Sequence, residues 1–249
     1  MRYIKGNAVV ETNQIGHGSI IEEFSIIRRD VKLGKNVHIF PNVIIENNVE
    51  IGNNVRIYPG TYIGKIPDGA GALAREPIFV KKIKIGNDCA IGPNAVIYYD
   101  VEVGNDTLVG DGASIREECR IGNFTIIGRY VTLNYNVVIG DKTKIMDHSW
   151  MAGNMNIGND VFIGGGVITS NDNNMEKRTY SPAKVFGPTL EDHCSVGSGS
   201  VILPNIKVGR FSIVAAGAVV TKDVPDYAVV MGTPARIVRY LSERGEGQI

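Results

Sequence analysis

Net charge is the first thing this 249-residue sequence lacks: 26 Lys and Arg are balanced by 26 Asp and Glu. No overall field therefore steers it onto nucleic acid or an anionic membrane. Hydrophobic runs are short, ending after about half a dozen residues where roughly 20 are needed to cross a bilayer. The opening MRYIKGNAVVETN also carries no apolar signal-peptide core. These absences predict a cytoplasmic protein with no nucleic-acid or membrane partner. Aromatics make up only 7%, whereas glycine reaches 30 residues, well above the roughly 7% average. Such a composition favours many tight corners over large helical layers.

What is present is a repeat. Stepping by six from Val9 reaches Ile15, Ile21, Ile27, Leu33, Ile39, Ile45, Ile51, Ile57 and Ile63 without a miss. A second run of sixes leads from Ile85 to Ile163 and a third from Leu190 to Val220. A period of six fits neither an amphipathic helix at 3.6 nor a continuing strand at two. It fits a short strand, a corner and another short strand. Every third hexad opens with an aliphatic residue and glycine, as in Leu33-Gly34, Ile51-Gly52 and Ile121-Gly122, so the coil closes after 18 residues and has three unlike sides. The corners are rich in Asn, Asp and Gly, which tolerate left-handed backbone. The expectation is an all-β prism of about ten three-sided coils, each face a parallel ladder rising about 4.8 Å per coil.

Over residues 9–63, 85–169 and 190–225 this pattern resembles the hexapeptide-repeat acyltransferases, which implies a left-handed parallel β-helix. The stretch Gly197-Ser198-Gly199-Ser200-Val201-Ile202-Leu203-Pro204, the run Ala215 to Pro225 and the segment Gly232-Thr233-Pro234-Ala235-Arg236 look like the C-terminal signature of sugar acyltransferases that use acetyl-CoA. The resemblance implies acetyl-CoA as co-substrate, a small-molecule sugar acceptor, and an active site shared between neighbouring subunits of a homotrimer. Flat prism faces with one polar edge also suit a three-fold assembly.

Two stretches break the register. Ile63 to Ile85 spans 22 residues where six would serve, and Thr169 to Leu190 spans 21, which places insertions at about 65–82 and 170–188. Both leave after the same face, so both project from one edge of the prism. Loops this long in a compact repeat point to a site; a tolerated surface insertion is the alternative. The β-helix domain is expected over residues 1–225. In the capping segment 226–249, Thr233 as N-cap, Pro234 at the first helical position and the stripe Ile237, Val238, Leu241 predict one short C-terminal helix, ending near Gly245.

Cys89, Cys119 and Cys194 each fall four residues after a column aliphatic, in the small inward slot of the hexad, and read as packing residues rather than a disulfide or a nucleophile. His148 lies at a corner. One coil further on is Gly166 and, allowing for the insertion, Gly199 and Gly217 follow, with Gly165, Ser198 and Ala216 beside them. One edge thus carries only small residues for three coils, roughly 14 Å at the ladder spacing. A narrow ligand arm needs such a track for close approach and main-chain hydrogen bonds, and pantetheine has about that reach. Gly166, Gly199, Ala216 and Gly217 are therefore candidate acetyl-CoA contacts, with Lys222 and Arg236 beyond them for its phosphates. His148 is the candidate general base, and Asp147 beside it a candidate support for the imidazole. The resemblance also implies a mid-chain histidine as base, although in relatives it commonly sits one slot earlier in the hexad. The competing account makes His148 a surface corner and the glycines mere turn formers.

Another edge carries Asn136, Asn154 and Asp172 at spacings of 18, with Tyr135 and Asn171 alongside. Asn136, Asn154, Asn171 and Asp172 are candidate contacts for a polyhydroxylated acceptor, or structural corner residues. A three-histidine zinc site, known on the same fold in γ-class carbonic anhydrases, is not expected, because spacings such as that from His17 to His38 are not multiples of 18 and set no His pair on one edge. The sequence reading is N-acetylation of a nucleotide-linked amino sugar by acetyl-CoA, without metal. Sugar O-acetylation and a non-catalytic β-helix scaffold remain the alternatives.

Overall fold

The computed structural model describes residues 3–69, 75–173 and 185–242. Within them the hexads become strands of two to five residues that stack into three sheets. The first face has thirteen strands, from Tyr3–Ile4 to Arg236–Tyr240; the second has eleven, from Val9–Val10 to Val219–Val220; the third has nine, from Lys32–Leu33 to Lys207–Val208. Strands pair in parallel one coil apart, Ile126 on Lys144 and Ile127 on Ile145 for example. This is the three-sided, left-handed parallel β-helix.

A two-residue strand turns one side chain in and one out, and the inward residue is the column aliphatic. Ile21, Ile27, Ile39, Ile45 and Ile57 are fully buried, each contributing roughly 1.5–3 kcal/mol. The second inward slot is narrower and holds Val37, Val43, Ala95, Ala113 and the three cysteines. These cysteines are free and buried. Burial pushes the Cys119 and Cys194 thiols up to about 12, which keeps them protonated at neutral pH and unfit as nucleophiles.

Two expectations are corrected. The first face carries twelve parallel strands, so the prism has about twelve turns rather than ten. The additional coils lie at the ends, where the six-residue count fails: Tyr3–Ile4 pairs with Ile20–Ile21, and Ala228–Met231 pairs with Ile213–Val214. Second, the described residues contain no helix. Arg236–Tyr240 forms a strand antiparallel to Ala228–Met231. The turn between them meets the second face, where the Val219 N–H donates to Gly232 O at 3.0 Å and the Ala235 N–H donates to Val219 O at 2.8 Å. A short helix is marginal by itself, whereas an open ladder edge offers backbone partners, and the edge wins. The expected helix end near Gly245 lies outside the described residues.

The two insertions leave the second face after Tyr62–Lys65 and Ile168–Thr169, and the chain re-enters the third face at Ile83–Ile85 and Thr189–Leu190. They share the edge between those faces. No helix of the described residues is long and apolar enough to cross a membrane.

Candidate functional site

A corner can leave one backbone N–H, that of the second residue after the column aliphatic, without a ladder partner. On the edge between the third and first faces a stack of side chains meets this need. The Asn87 N–H donates to Asn105 Oδ1, that of Asn105 to Asn123 Oδ1 and that of Asn123 to Asp141 Oδ1, at 2.7–2.8 Å. The glycine just before each is demanded by the neighbouring coil, since a Cβ on Gly104 would lie 2.6 Å from the carbonyl carbon of Gly122. This is the physical origin of the aliphatic-Gly-Asn rhythm.

On the edge between the first and second faces the same device appears at Asp147, whose Oδ1 accepts the Arg129 N–H at 2.8 Å. In the next three coils that slot holds Gly165, Ser198 and Ala216. Among the described residues, the N–H groups of Asp147, Gly165 and Ser198 have no acceptor. The adjacent positive-φ position is His148 at 61°, then Gly166, Gly199 and Gly217 at 67°, 69° and 71°. A Cβ placed on any of these three glycines meets nothing within 4 Å, whereas on Gly164 or Gly197 it would come within 2.6 or 2.4 Å of a backbone nitrogen in the next coil. The result is a strip of open main chain with unused donors, starting at His148.

His148 is exposed, and its ring stacks on Tyr130 one coil below, 5.2 Å between centroids and 10° from parallel. Asp147 does not orient it, which corrects the expectation. Its Oδ2 accepts from Arg129 Nε at 2.9 Å and Nη2 at 2.6 Å, and hydrogen bonding to Arg129 holds the carboxyl below the usual range. The unpaired Arg129 N–H one coil below claims this carboxylate. Tyr130, which the sequence reading missed, is the ring neighbour instead; its signal was the 18-residue spacing to His148.

Arg236 lies at the C-terminal end of this strip, paired with Met231, which directly precedes Gly232. Lys222 does not: it follows Val219–Val220 on the second face and sits on the next edge. Of the two basic candidates, only Arg236 therefore lies on the edge that carries the strip.

The edge between the second and third faces collects the remaining candidates. Asn136 Nδ2 donates to Asn154 Oδ1 and Asn154 Nδ2 donates to Val185 O, both at 3.0 Å. Asn171 Nδ2 donates to Gly153 O at 3.1 Å and lies 3.4 Å from Tyr135 Oη, with Asp172 next in the chain. The amides thus tie the second insertion to the prism. The first insertion arrives at the same place, for the Arg75 guanidinium lies 3.8 Å from the centre of the Tyr135 ring. Arg75 also pairs with Glu117, which is fully buried and accepts from Arg116 Nε and Nη2 at 3.2 and 3.1 Å. Nothing in the repeat singles out Glu117, because its slot in the hexad holds Tyr99, Tyr135 and Asn171 in other coils.

The histidines do not converge. His17 and His193 do share the edge between the third and first faces, contrary to the spacing argument, but at opposite ends of the prism. Among the described residues no three His, Cys, Asp or Glu gather in a group able to hold a metal ion.

Similarity to known proteins agrees with this architecture. The family described as bacterial transferase hexapeptide (six repeats) matches residues 30–65, 82–117 and 187–222. The chain is 38% identical over 86 residues to the 2,3,4,5-tetrahydropyridine-2,6-dicarboxylate N-acetyltransferase of Staphylococcus aureus (strain JH9), a segment covering 34% of this chain and 33% of that enzyme. It thus spans about a third of the length of the curated relatives it matches. A UDP-N-acetylglucosamine acyltransferase from Arabidopsis superposes with a TM-score of 0.60 at 20% identity, over 98% of this chain and 74% of that one. The UDP-N-acetylglucosamine O-acyltransferase of Moraxella catarrhalis superposes at 0.50 and 19%, over 100% and 77%. Both likenesses are of fold. With its six-residue period and its three-sided coil, the chain matches the bacterial transferase hexapeptide-repeat family in these three segments.

Proposed function

We propose that the chain is an acyltransferase that uses acetyl-CoA to N-acetylate a nucleotide-linked amino sugar by direct transfer. One observation carries the reading: the strip above His148, where Gly166, Gly199 and Gly217 leave open space and the N–H groups of Gly165 and Ser198 have no acceptor among the described residues. A pantetheine arm is narrow and bears amide carbonyls, so it needs that clearance and those donors. Ala216 adds only a methyl group to the track. Arg236 at its far end suits the phosphates of the nucleotide. The relatives named above transfer acyl groups, one to a nitrogen and others to a UDP-linked sugar.

In this reading the acceptor amine attacks the thioester carbonyl, forming a C–N bond and an oxyanion that a strip N–H of Gly165 or Ser198 stabilises. Collapse breaks the C–S bond, and the amine proton passes to the His148 imidazole or to the departing sulfur. Tyr130 holds the imidazole ring in place. The acceptor edge with Asn136, Asn154, Asn171 and Asp172 belongs to a neighbouring subunit of a homotrimer, since it lies across the second face from His148. Light scattering at micromolar concentration should give three times the chain mass; a monomer would remove the shared site.

The test is release of free thiol from acetyl-CoA across a panel of amino-sugar nucleotides. Release dependent on an amine acceptor is expected. Release with hydroxyl acceptors and none with amines moves the reading to O-acetylation, and no release with any of them refutes acyl transfer.

A further inference from the structure

We propose that Arg75 and Arg116, gathered on Glu117, form an anion-binding subsite on the edge between the second and third faces that takes a phosphoryl or carboxylate group of the acceptor. The proposal rests on the acyltransferase reading for the identity of its ligand, but its geometry stands independently. Glu117 is wholly out of solvent, and a carboxylate there must be compensated by charge. Two guanidiniums converge on it, one from the first insertion and one from the adjacent residue, so the cluster carries more positive charge than the carboxylate cancels.

The surrounding charges leave that surplus in place. Lys65 lies 5.2 Å from the centre of the Tyr98 ring, and Arg116 lies 5.8 Å from the same ring. The opposing group is Glu118, 3.7 Å from Arg75 Nη1, so that three cations, Arg75, Arg116 and Lys65, face the two carboxylates of Glu117 and Glu118. Among the described residues, the side-chain hydrogen bonds of Arg75 and Arg116 go to Glu117 and use a minority of the N–H groups the two guanidiniums own. Both forks are also held over the Tyr135 ring, at 3.8 and 5.9 Å. Guanidinium forks fixed in this way match the paired oxygens of a phosphate or a carboxylate. Asn171 lies within 3.4 Å of the hydroxyl of that same tyrosine, which sets a polar contact for a sugar next to the anion contact.

A strap that merely fastens the insertion is the competing account, and binding separates the two. The full chain is titrated calorimetrically at low ionic strength with inorganic pyrophosphate and, separately, with malonate. Saturable binding of at least one is expected, weakened tenfold or more in Arg75→Ala, partly retained in Arg75→Lys and unchanged in Lys84→Ala on the third face. Binding of pyrophosphate alone assigns a phosphoryl group, and of malonate alone a carboxylate. If neither saturates, or if Arg75→Ala and Arg75→Lys both bind as the parent does, the subsite is overturned and Arg75 is only a strap. Because the titration needs no turnover, anion binding without thiol release refutes acyl transfer while leaving the subsite, and the reverse result refutes the subsite alone.

Discussion

Replacing Gly199 with asparagine separates a glycine that serves the coil from one that keeps the strip clear. The corner requires φ near 69° at this position, which costs most side chains roughly 1–2 kcal/mol but is routine for Asn. Asn36, Asn42, Asn54, Asn94, Asn136 and Asn154 hold the same conformation in this chain. A Cβ at position 199 meets nothing within 4 Å, so Gly199→Asn should fold, with Tm lowered by no more than about 4 °C for about 1 kcal/mol. The new side chain stands on the main-chain strip, between the N–H groups and any arm lying on them. Loss of even one such contact, about 1.4 kcal/mol, raises KM for acetyl-CoA about tenfold. Gly197→Ala is the converse control. Its Cβ would lie 2.4 Å from the Ala216 nitrogen, an overpacking that costs roughly 1–3 kcal/mol and lowers Tm by several degrees. Thermal melts and thiol-release kinetics of the two variants decide the matter. A Gly199→Asn protein that melts like the parent and keeps its KM for acetyl-CoA refutes the placement of the donor.

Other outcomes follow from the same geometry. His148→Ala should lower kcat by roughly 10²–10⁴-fold with KM for acetyl-CoA nearly intact, whereas Asp147→Asn should change kcat little, because that carboxylate serves Arg129; a large kcat effect of Asp147→Asn would restore it as support for the imidazole. Arg236→Ala should raise KM for acetyl-CoA several-fold while Lys222→Ala, on the next edge, leaves it unchanged, and the opposite ranking would reroute the nucleotide. Stability should be full below about pH 9 and fall as pH rises toward 12, since the unfolded chain gives up protons that the buried Cys119 and Cys194 thiols retain. Denaturant midpoints measured between pH 8 and 10.5 should fall less steeply in a Cys119→Ala, Cys194→Ala double variant.

Much of the candidate site was legible because positions 18 apart in the repeat are neighbours in space. His148, Gly166, Gly199 and Gly217 fall on one edge by arithmetic, and so do Asn136 and Asn154. Lys222 was legible too, since it falls two residues after Val220, whose count along the column puts it on the second face, and so at the corner between the second and third faces. The partner of Asp147 was not legible, because a side chain's partner depends on which neighbouring group is left unpaired. Here that group is the Arg129 N–H, one coil below. Adjacency to His148 in the chain counted for nothing against it.

By itself the sequence determined the coil, its three unlike sides, the inward column and the shared edge of the two insertions. These are local properties that every 18 residues restate, and each coil needs only its neighbours to bury its aliphatic residues. Tertiary structure alone decided three things. The tail became a strand, because an open ladder edge outweighs a weak helical stripe. The first insertion closed over Tyr135 through Arg75 and the buried Glu117, because a loop outside the repeat has no register from which its landing point can be read. Backbone donors were left bare above His148 because Gly165, Ser198 and Ala216 bring no amide or carboxylate side chain to that slot, and an unpaired N–H becomes visible only when all its possible acceptors are in place around it.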